Sequence, residues 1–245
     1  MKDRLSSSLI EFAHKVSKIP FAKALIKPFY YPYKKRVVEL RKKNFKKDAL
    51  RVLSAFDNSM IENDIPYIVI FGTLLGAIRE HGFIGHDCDI DVAIRIEDRT
   101  EKLRNVLKNA GFRLTERYQI EDGRLGCEET YIYEGTTVSI DIFYICPAID
   151  QFPYCCCWNQ FDGCSTPRES MKRYGGVIPR RIEFPVSEEI QRVIFETINV
   201  SIPKNAHQIC EFCYGTDYMI PNPNNIPPKE HRVVWVDKLA SYEEF

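Results

Sequence analysis

Three aspartates stand within five positions, Asp87, Asp89 and Asp91, in the segment GTLLGAIREHGFIGHDCDIDV that covers residues 72–92. Like charges this close repel one another, and a carboxylate beside buried apolar residues is costly to remove from water. Side chains alternate between the two faces of a strand, so an extended segment would put all three aspartates on one face. Such an arrangement needs a counter-charge.

A fourth carboxylate lies in a second apolar strand. The segment VSIDIFYI, residues 138–145, places apolar side chains on one face and Ser139 and Asp141 on the other. An acid inside such a strand is unexpected unless it serves a site, although an acidic turn with a coincidental aspartate is the alternative. Pairing of the two strands would bring Asp89, Asp91 and Asp141 together. Mg²⁺ favours carboxylate oxygens and substrate phosphates, so we predict that these three residues hold Mg²⁺, with Mn²⁺ as the alternative ion.

A phosphate site is predicted just before the aspartates. A strand over 67–71 ends in Gly72 and Thr73, and Thr73 is a suitable N-cap for a short helix over 74–80. The N-terminus of such a helix offers free backbone N–H groups and a positive dipole end, which suit a phosphate. Arg79 lies on this helix, where its guanidinium could hold phosphate oxygens or form a surface ion pair. Turn, arginine and carboxylates together are typical of phosphoryl transfer.

The formal net charge is zero, but the charge is unevenly distributed. Residues 1–47 hold fourteen Lys or Arg and three acidic residues, so the remainder of the 245-residue chain is acidic. The basic segment also carries aromatic residues, which is typical of a segment that contacts an anionic membrane face. A solvated extension packed against the acidic body is the alternative. No nucleic-acid-binding motif accompanies the charge, so no nucleic-acid partner is expected.

The cysteines and the apolar runs indicate in which cellular compartment the protein is expected. Nine cysteines without a visible secretory signal favour a reducing compartment and free thiols. Six of them stand in two groups, namely Cys155, Cys156, Cys157, Cys164, Cys210 and Cys213. Three consecutive cysteines are an unusual ligand spacing, so small buried side chains are preferred to a structural Zn²⁺ site. No apolar run is long enough to span a bilayer. We expect a cytoplasmic protein that could attach peripherally to the inner membrane face.

The elements that must position these residues follow from periodicity and turn signals. Helices are predicted over 36–62, 74–80, 97–110, 188–197 and 206–213. Strands are predicted over 67–71, 90–94, 130–133 and 138–145, and irregular segments over 147–185 and 221–228. This order predicts an α/β fold with a mixed sheet flanked by helices and a less regular C-terminal part.

The segment 72–92 resembles the signature of the LicD family, which includes bacterial phosphorylcholine transferases and fukutin-type ribitol-phosphate transferases. The family belongs to the nucleotidyltransferase-fold superfamily. VSIDIF, residues 138–143, is similar to the family's third carboxylate strand. Residues 200–223 are similar to its YG…YM…P ending, so the resemblance spans about residues 65–228.

Three residues depart from the usual family pattern GFIPWDDDIDV. Gly85, His86 and Cys88 stand where the family has Pro, Trp and Asp. By strand parity Cys88 faces away from the metal side, so the missing acid need not abolish metal binding. His86 is interpreted as an exposed loop imidazole, with contact to a nucleotide or phosphate as the alternative. The three departures from the family pattern therefore affect the prediction of the substrate more than the prediction of the metal-binding carboxylates.

The resemblance implies transfer of a phosphorylated small alcohol, such as phosphocholine or a polyol phosphate, from a CDP-activated donor to a sugar hydroxyl. The acceptor would be a cell-surface glycan or its lipid-linked precursor, and CMP would be released. Asp89 and Asp91 would hold the metal ions, and Asp141 would complete the site and accept the proton of the hydroxyl. The candidate substrate contacts are Gly72, Thr73, Arg79, His86, Asp87 and Tyr218.

The resemblance also predicts a division of the chain. A basic arm (1–35) would precede a nucleotidyltransferase-fold core (36–146), and a LicD-type region (147–245) would pack on that core. Two other functions stay open at this point. One is a true nucleotidyltransferase that releases pyrophosphate from a nucleoside triphosphate, and the other is a non-catalytic binding protein with a decayed site.

Overall fold

The computed structural model describes residues 20–221 and 233–245, with side chains from residue 35 onward in the first range and from residue 234 in the second. Most of the predicted basic arm, 1–35, and nearly all of the predicted irregular tail, 221–228, therefore lie outside the described residues. The described ranges contain five α-helices and one 3₁₀ turn, Ile96–Asp98. The helices are α1 (Pro20–Glu62), α2 (Phe71–Arg79), α3 (Glu101–Asn109), α4 (Pro167–Tyr174) and α5 (Ala206–Tyr214).

Eleven strands in the described ranges form three sheets. They are β1 (Ile68–Val69), β2 (Ile90–Arg95), β3 (Phe112–Gln119), β4 (Cys127–Tyr133), β5 (Ser139–Ile145), β6 (Tyr154–Asn159), β7 (Ile178–Glu183), β8 (Ile190–Phe195), β9 (Ile198–Pro203), β10 (Val233–Trp235) and β11 (Ser241–Glu244). The main sheet has the order β1-β2-β5-β4-β3-β11, the second has the order β10-β7-β6, and β8 and β9 form a hairpin. Strands β2 and β5 run parallel, whereas the other pairs are antiparallel. The fold is mixed α/β, as predicted.

Helix α1 contributes much of the core through one face. Its buried side chains recur at helical spacing, which is why this stretch packs as an amphipathic helix: Phe45, Ala49, Val52, Leu53, Phe56 and Met60. Burial of these side chains contributes on the order of 10 kcal/mol before the entropy cost of ordering the chain. No helix in the described part of the chain is long and apolar enough to cross a bilayer.

Two predictions for the C-terminal half are wrong. Residues 188–197 form β8 and its turn rather than a helix, because the stretch is rich in β-branched residues and pairs with β9 in register from Ile190↔Pro203 to Phe195↔Ile198. Residues 147–185 are not irregular but contain β6, α4 and β7. Strand β7 pairs with β6 on one side and with β10 on the other. These pairings join segments that are distant in sequence, so local patterns could not reveal them.

The β8–β9 hairpin contacts the rest of the fold through Arg192 in β8 and Glu196 in the turn. Arg192 forms an ion pair with Asp57 of α1, and the same carboxylate accepts a hydrogen bond from the Tyr67 hydroxyl. At the turn, the Glu196 N–H donates to the carbonyl oxygen of His81 at 2.6 Å. The hairpin thereby holds the loop between α2 and β2, which carries the aspartates.

All nine cysteines lie within the described ranges and are free thiols. Cys155 and Cys156 are buried on β6, and Cys210 and Cys213 are buried on α5. The proposed three-part division of the chain stays a prediction. The main sheet does include β11, so residues from the predicted C-terminal region pair directly with β3 of the predicted core.

Candidate active site

Asp91 and Asp141 are register partners across the parallel pair β2–β5. Each stands between fully buried apolar residues, Ile90 and Val92 on β2 and their counterparts on β5. Alternation therefore turns both carboxylates to the opposite face of the sheet, side by side. The predicted pairing of the two acidic strands is confirmed.

Asp91 is held by the start of α2. Its backbone N–H donates to the Thr73 hydroxyl at 2.9 Å, and its carboxylate accepts a hydrogen bond from the Gly72 N–H. Burial raises the pKa of Asp91 well above its usual value, the charges of Asp89, Asp141 and Asp87 raise it further, and the Gly72 hydrogen bond opposes the rise. The ionised form of Asp91 therefore requires positive charge from outside this group.

The turn into α2 differs from the predicted one. The helix begins at Phe71, so Thr73 lies inside its first turn, and the prediction of Thr73 as N-cap is wrong. The chain enters the helix through a left-handed Phe71 (φ 46°), a conformation rare for a phenylalanine, and its ring packs on Phe143 at 4.9 Å between centroids. Because the turn is this tight, the Thr73 hydroxyl and the Gly72 N–H both reach Asp91.

Gly72 leaves the space between two carboxylates open. A Cβ at this position would lie 3.5 Å from Asp91 Oδ2 and 3.7 Å from Asp87 Oδ1. These are ordinary contact distances, so a methyl group would fit but would fill the gap in front of both acids. The structure therefore brings Gly72, Asp87 and Asp91 to one place.

Asp87 and Asp89 reach the site through a folded loop. The expectation of an extended chain from residue 87 is wrong, because the strand begins at Ile90 and Asp87 closes a turn on Ile84. The Asp87 carboxylate accepts from the Ile84 N–H at 2.9 Å, and this local bond competes with an extended chain. Burial raises the pKa of Asp87 and of Asp89. Asp89 stands at a bend, where the residue as a whole is exposed while neighbouring groups still partly shield its carboxylate from water.

The residues that depart from the family pattern lie at the outer side of this loop. His86 is exposed, in agreement with its interpretation as a loop imidazole. The Cys88 thiol is half-buried and lies 3.6 Å from the His86 carbonyl oxygen. Neither side chain interrupts the Asp91–Asp141 pair.

Asp141 carries a buried oxygen without a partner. Its Oδ1 is buried and makes no hydrogen bond within the described chain, whereas Thr130 donates a hydrogen bond to the carboxylate. Burial raises the pKa of Asp141 from 3.8 to about 7, the Thr130 hydrogen bond lowers it, and the charges of Asp89 and Glu116 raise it. An unpaired buried acceptor of this kind is costly unless something binds it.

Two further acids share this face of the sheet and were missed in the sequence. Glu116 of β3 is the register partner of Thr130, which in turn pairs with Asp141, so these side chains stand in one row. Glu128 lies one row further and accepts a hydrogen bond from Trp158 Nε1 at 2.7 Å. Burial and the charge of Asp141 raise the pKa of Glu128. The alternation of side chains along β4 was the available sequence signal for Glu128. It shows that Glu128 shares a face with Asp141 only once the register of β4 with β5 is known.

A family profile described as LicD/FKTN/FKRP, nucleotidyltransferase domain, matches residues 64–205. The chain belongs to the LicD family. The matched range contains all four aspartates and ends directly before α5, so it stops short of residue 228, to which the resemblance was expected to reach. A search of curated proteins finds no match. Membership of this family indicates a transferase of the phosphotransferase type.

LicD proteins are generally metal-dependent, so the carboxylates must be compared with the needs of a metal ion. Within the described ranges, no three His, Cys, Asp or Glu residues converge closely enough to hold an ion by themselves. Mg²⁺ is usually bound by one or two carboxylates together with substrate phosphates. The Asp91–Asp141 pair, with its unpaired Oδ1, fits that mode, in which the donor supplies the remaining oxygens.

Arg79 and Tyr218 connect the LicD domain to the segment after α5. Arg79 donates from Nε to Glu80 at 2.8 Å and from Nη1 to the Tyr218 carbonyl oxygen at 3.3 Å, and only 10% of its side chain is exposed. The Tyr218 hydroxyl lies 2.6 Å from His207 Nδ1. The Arg79 charge also lowers the pKa of Asp87 against the effect of burial. Contact of either residue with a substrate stays a prediction.

Proposed function

We propose that this chain is a metal-dependent phosphotransferase that moves a phospho-alcohol group from a CDP-activated donor to a sugar hydroxyl and releases CMP. The observation that supports it most is the Asp91–Asp141 pair, two carboxylates in register on one face of the sheet inside a LicD domain. Two like charges held together in partial burial are costly, and a divalent cation with a diphosphate would offset that cost.

The proposed roles follow from the contacts of each residue. Asp91 and Asp141 would hold Mg²⁺, with exposed Asp89 at the entrance, and the ion would neutralise charge on the donor diphosphate. The Gly72 N–H donates to the Asp91 carboxylate and the Thr73 hydroxyl accepts from the Asp91 backbone N–H, so we assign both residues to positioning Asp91. Gly72 has no side chain to cover Asp87 and Asp91, so we assign the donor diphosphate to the gap in front of these acids.

The transfer step uses one member of the carboxylate pair as a base. The acceptor hydroxyl gives its proton to the Asp141 carboxylate as its oxygen forms a bond to the phosphorus that carries the alcohol. The bond from this phosphorus to the bridging oxygen breaks, and CMP leaves.

The test is CMP release from CDP-choline, CDP-ribitol and CDP-glycerol with Mg²⁺ in the presence of glycan acceptors. Asp89→Ala, Asp91→Asn and Asp141→Asn are compared with wild type, and Asp217→Asn serves as an exposed control. We expect losses of about 10³-fold for Asp91→Asn and Asp141→Asn and no loss for the control. Equal CMP release by wild type and all variants would refute the assignment of the carboxylates.

The same assay separates the other two functions. Pyrophosphate release from a nucleoside triphosphate, without CMP release from any CDP donor, would identify a true nucleotidyltransferase. Calorimetry with Mg²⁺ and CDP tests for a decayed site, because such a site would show no metal-dependent binding. Product identity decides between the two transferases, since the same aspartates serve both reactions.

The acceptor is proposed to be a surface glycan or its lipid-linked precursor, used at the cytoplasmic face of a membrane. The support is compositional, namely the excess of Lys and Arg in residues 1–47. Flotation of the full chain with vesicles that contain anionic lipid, compared with neutral vesicles, tests this placement. Absence of the protein from both vesicle fractions would contradict it.

A further inference from the structure

The C-terminal half of α1 lies across the edge of the sheet where β2 and β5 begin. These strands are parallel, so both start at this edge, close to the paired aspartates. Asn44 Nδ2 donates to Thr137 Oγ1 at 3.0 Å, two residues before β5. The Phe45 ring packs edge-on against Phe83, in the loop before β2, with 4.9 Å between centroids. Helix α1 is therefore fixed to both segments that lead into the acidic strands.

Two cations stand on this side of the helix. Arg41 and Lys42 precede Phe45 by four and three residues, the spacings that place side chains on the same helical face. Lys42 is half-buried and Arg41 is exposed. In the part of the chain that the structure describes, neither forms an ion pair with a carboxylate. Both charges therefore remain available to a ligand.

The two cations lie close to the acidic strands. Asn44 and Phe45 follow them within one turn of the helix and contact the segments that lead into β5 and β2. On the neighbouring strand β3, burial raises the pKa of Glu116 and the charge of Arg41 opposes this rise. The positive charge therefore lies at the entrance of the site.

We propose that Arg41 and Lys42 form the anion-binding edge of the active site and hold the diphosphate of the donor. This inference rests on the proposed CDP-donor function and adds the residues that recognise the phosphates. The acids of the sheet face alone would repel a donor of the same sign. A guanidinium and an ammonium beside them bind phosphate oxygens through charge-assisted hydrogen bonds.

The experiment compares the full chain carrying Arg41→Ala and Lys42→Ala with wild type. Lys46→Ala with Lys47→Ala is the matched control, since both lysines are exposed on the same helix. Binding of CDP, CMP and cytidine is measured by calorimetry with Mg²⁺. We expect the first variant to bind CDP about tenfold to a hundredfold more weakly, CMP less affected and cytidine unchanged, because the loss follows the number of phosphates. The control should bind all three as wild type does.

Each outcome distinguishes the inference from the function on which it rests. Wild-type affinity for CDP in the Arg41→Ala, Lys42→Ala variant would overturn the inference and leave the proposed function standing. An equal loss for cytidine and CDP would also overturn it, because the pair would then support the fold. Wild type that binds no CDP and releases no CMP would refute the proposed function itself. Should the double variant fail to fold, Arg41→Gln and Lys42→Gln are tested singly, with the same readings.

Discussion

Replacement of Asp141 by asparagine should have opposite effects on activity and on stability, abolishing CMP release while raising the free energy of unfolding. In the metal-free protein, burial raises the pKa of this carboxyl from 3.8 to about 7. A carboxyl whose pKa is higher in the folded than in the unfolded state lowers stability as it ionises. The free energy of unfolding therefore falls as the pH rises from about 4 to about 7.

The size of the effect follows from the same interval. Ionised Asp141 costs about 4 kcal/mol above pH 7, since each unit of pKa difference corresponds to about 1.4 kcal/mol. At pH 5 the cost is about 1.5 kcal/mol, because the folded carboxyl still holds its proton while the unfolded one has lost it. Asparagine carries no charge at either pH. We expect Asp141→Asn to stabilise the metal-free protein by about 2.5 kcal/mol more at pH 8 than at pH 5, while CMP release is lost.

The assay is urea unfolding in the presence of a chelator at pH 5 and at pH 8. Asp217→Asn, an exposed aspartate, is the control and should change stability little at either pH. Addition of Mg²⁺ should stabilise wild type more than Asp141→Asn, because binding to the folded state alone raises its stability. A stability difference that is the same at both pH values, or destabilisation at pH 8, would refute the reasoning.

Three further variants test the surroundings of the site. Gly76→Ala should destabilise the fold by about 2 kcal/mol and reduce CMP release, because the added Cβ would overlap the Gly82 carbonyl oxygen. Gly85→Ala is the control and should unfold like wild type in a thermal scan, because a Cβ there would meet open space. Glu129→Gln should lower the free energy of unfolding in urea by about 3 kcal/mol at pH 7 and by less near pH 4. Burial raises the pKa of Glu129, but its hydrogen bonds and the neighbouring arginines lower it by more, so the stabilisation by the ionised carboxylate is lost on acidification. Cys88→Ala should retain most CMP release, and a loss as large as that of an aspartate variant would contradict its placement outside the carboxylate pair.

The parts of the fold that could be predicted are those that local patterns determine. The amphipathic spacing in α1 and the short helix at residues 206–213 are carried by neighbouring residues, and both helices are present. Strands over 130–133 and 138–145 were predicted from local patterns, and both are present as parts of the antiparallel pair β4–β5. Parity in β5 and the acid inside it were enough to predict that Asp141 meets Asp91.

The parts that could not be predicted depend on partners remote in the chain. Strand β7 is stabilised by β10 from beyond residue 232, and nothing near residue 180 indicates this. Strand β3 carries several charges and was not recognised, because its polar face becomes part of the acidic sheet surface. Glu116 and Glu128 enter the candidate site only through the register of β3, β4 and β5.

The loop before β2 shows that a sequence pattern can predict which residues meet without predicting the backbone conformation. The spacing of Asp87, Asp89 and Asp91 fits an extended strand, but a hydrogen bond from the Ile84 N–H to Asp87 closes a turn instead. The aspartates still gather, since the charges of Asp87 and Asp89 both act on Asp91. The spacing predicted which acids meet, but not the backbone path that brings them together.

The parallel contact between β2 and β5 has a consequence for the order of assembly. Asp91 and Asp141 are separated in sequence by α3, β3 and β4, so pairing of their strands closes a long loop, which is slow compared with the formation of local contacts. The pairing also brings two anions together, and at alkaline pH in chelator their repulsion should raise the barrier to refolding. On a nascent chain the two aspartates can meet only after β5 has been synthesised, whereas strands β6 to β11 follow later.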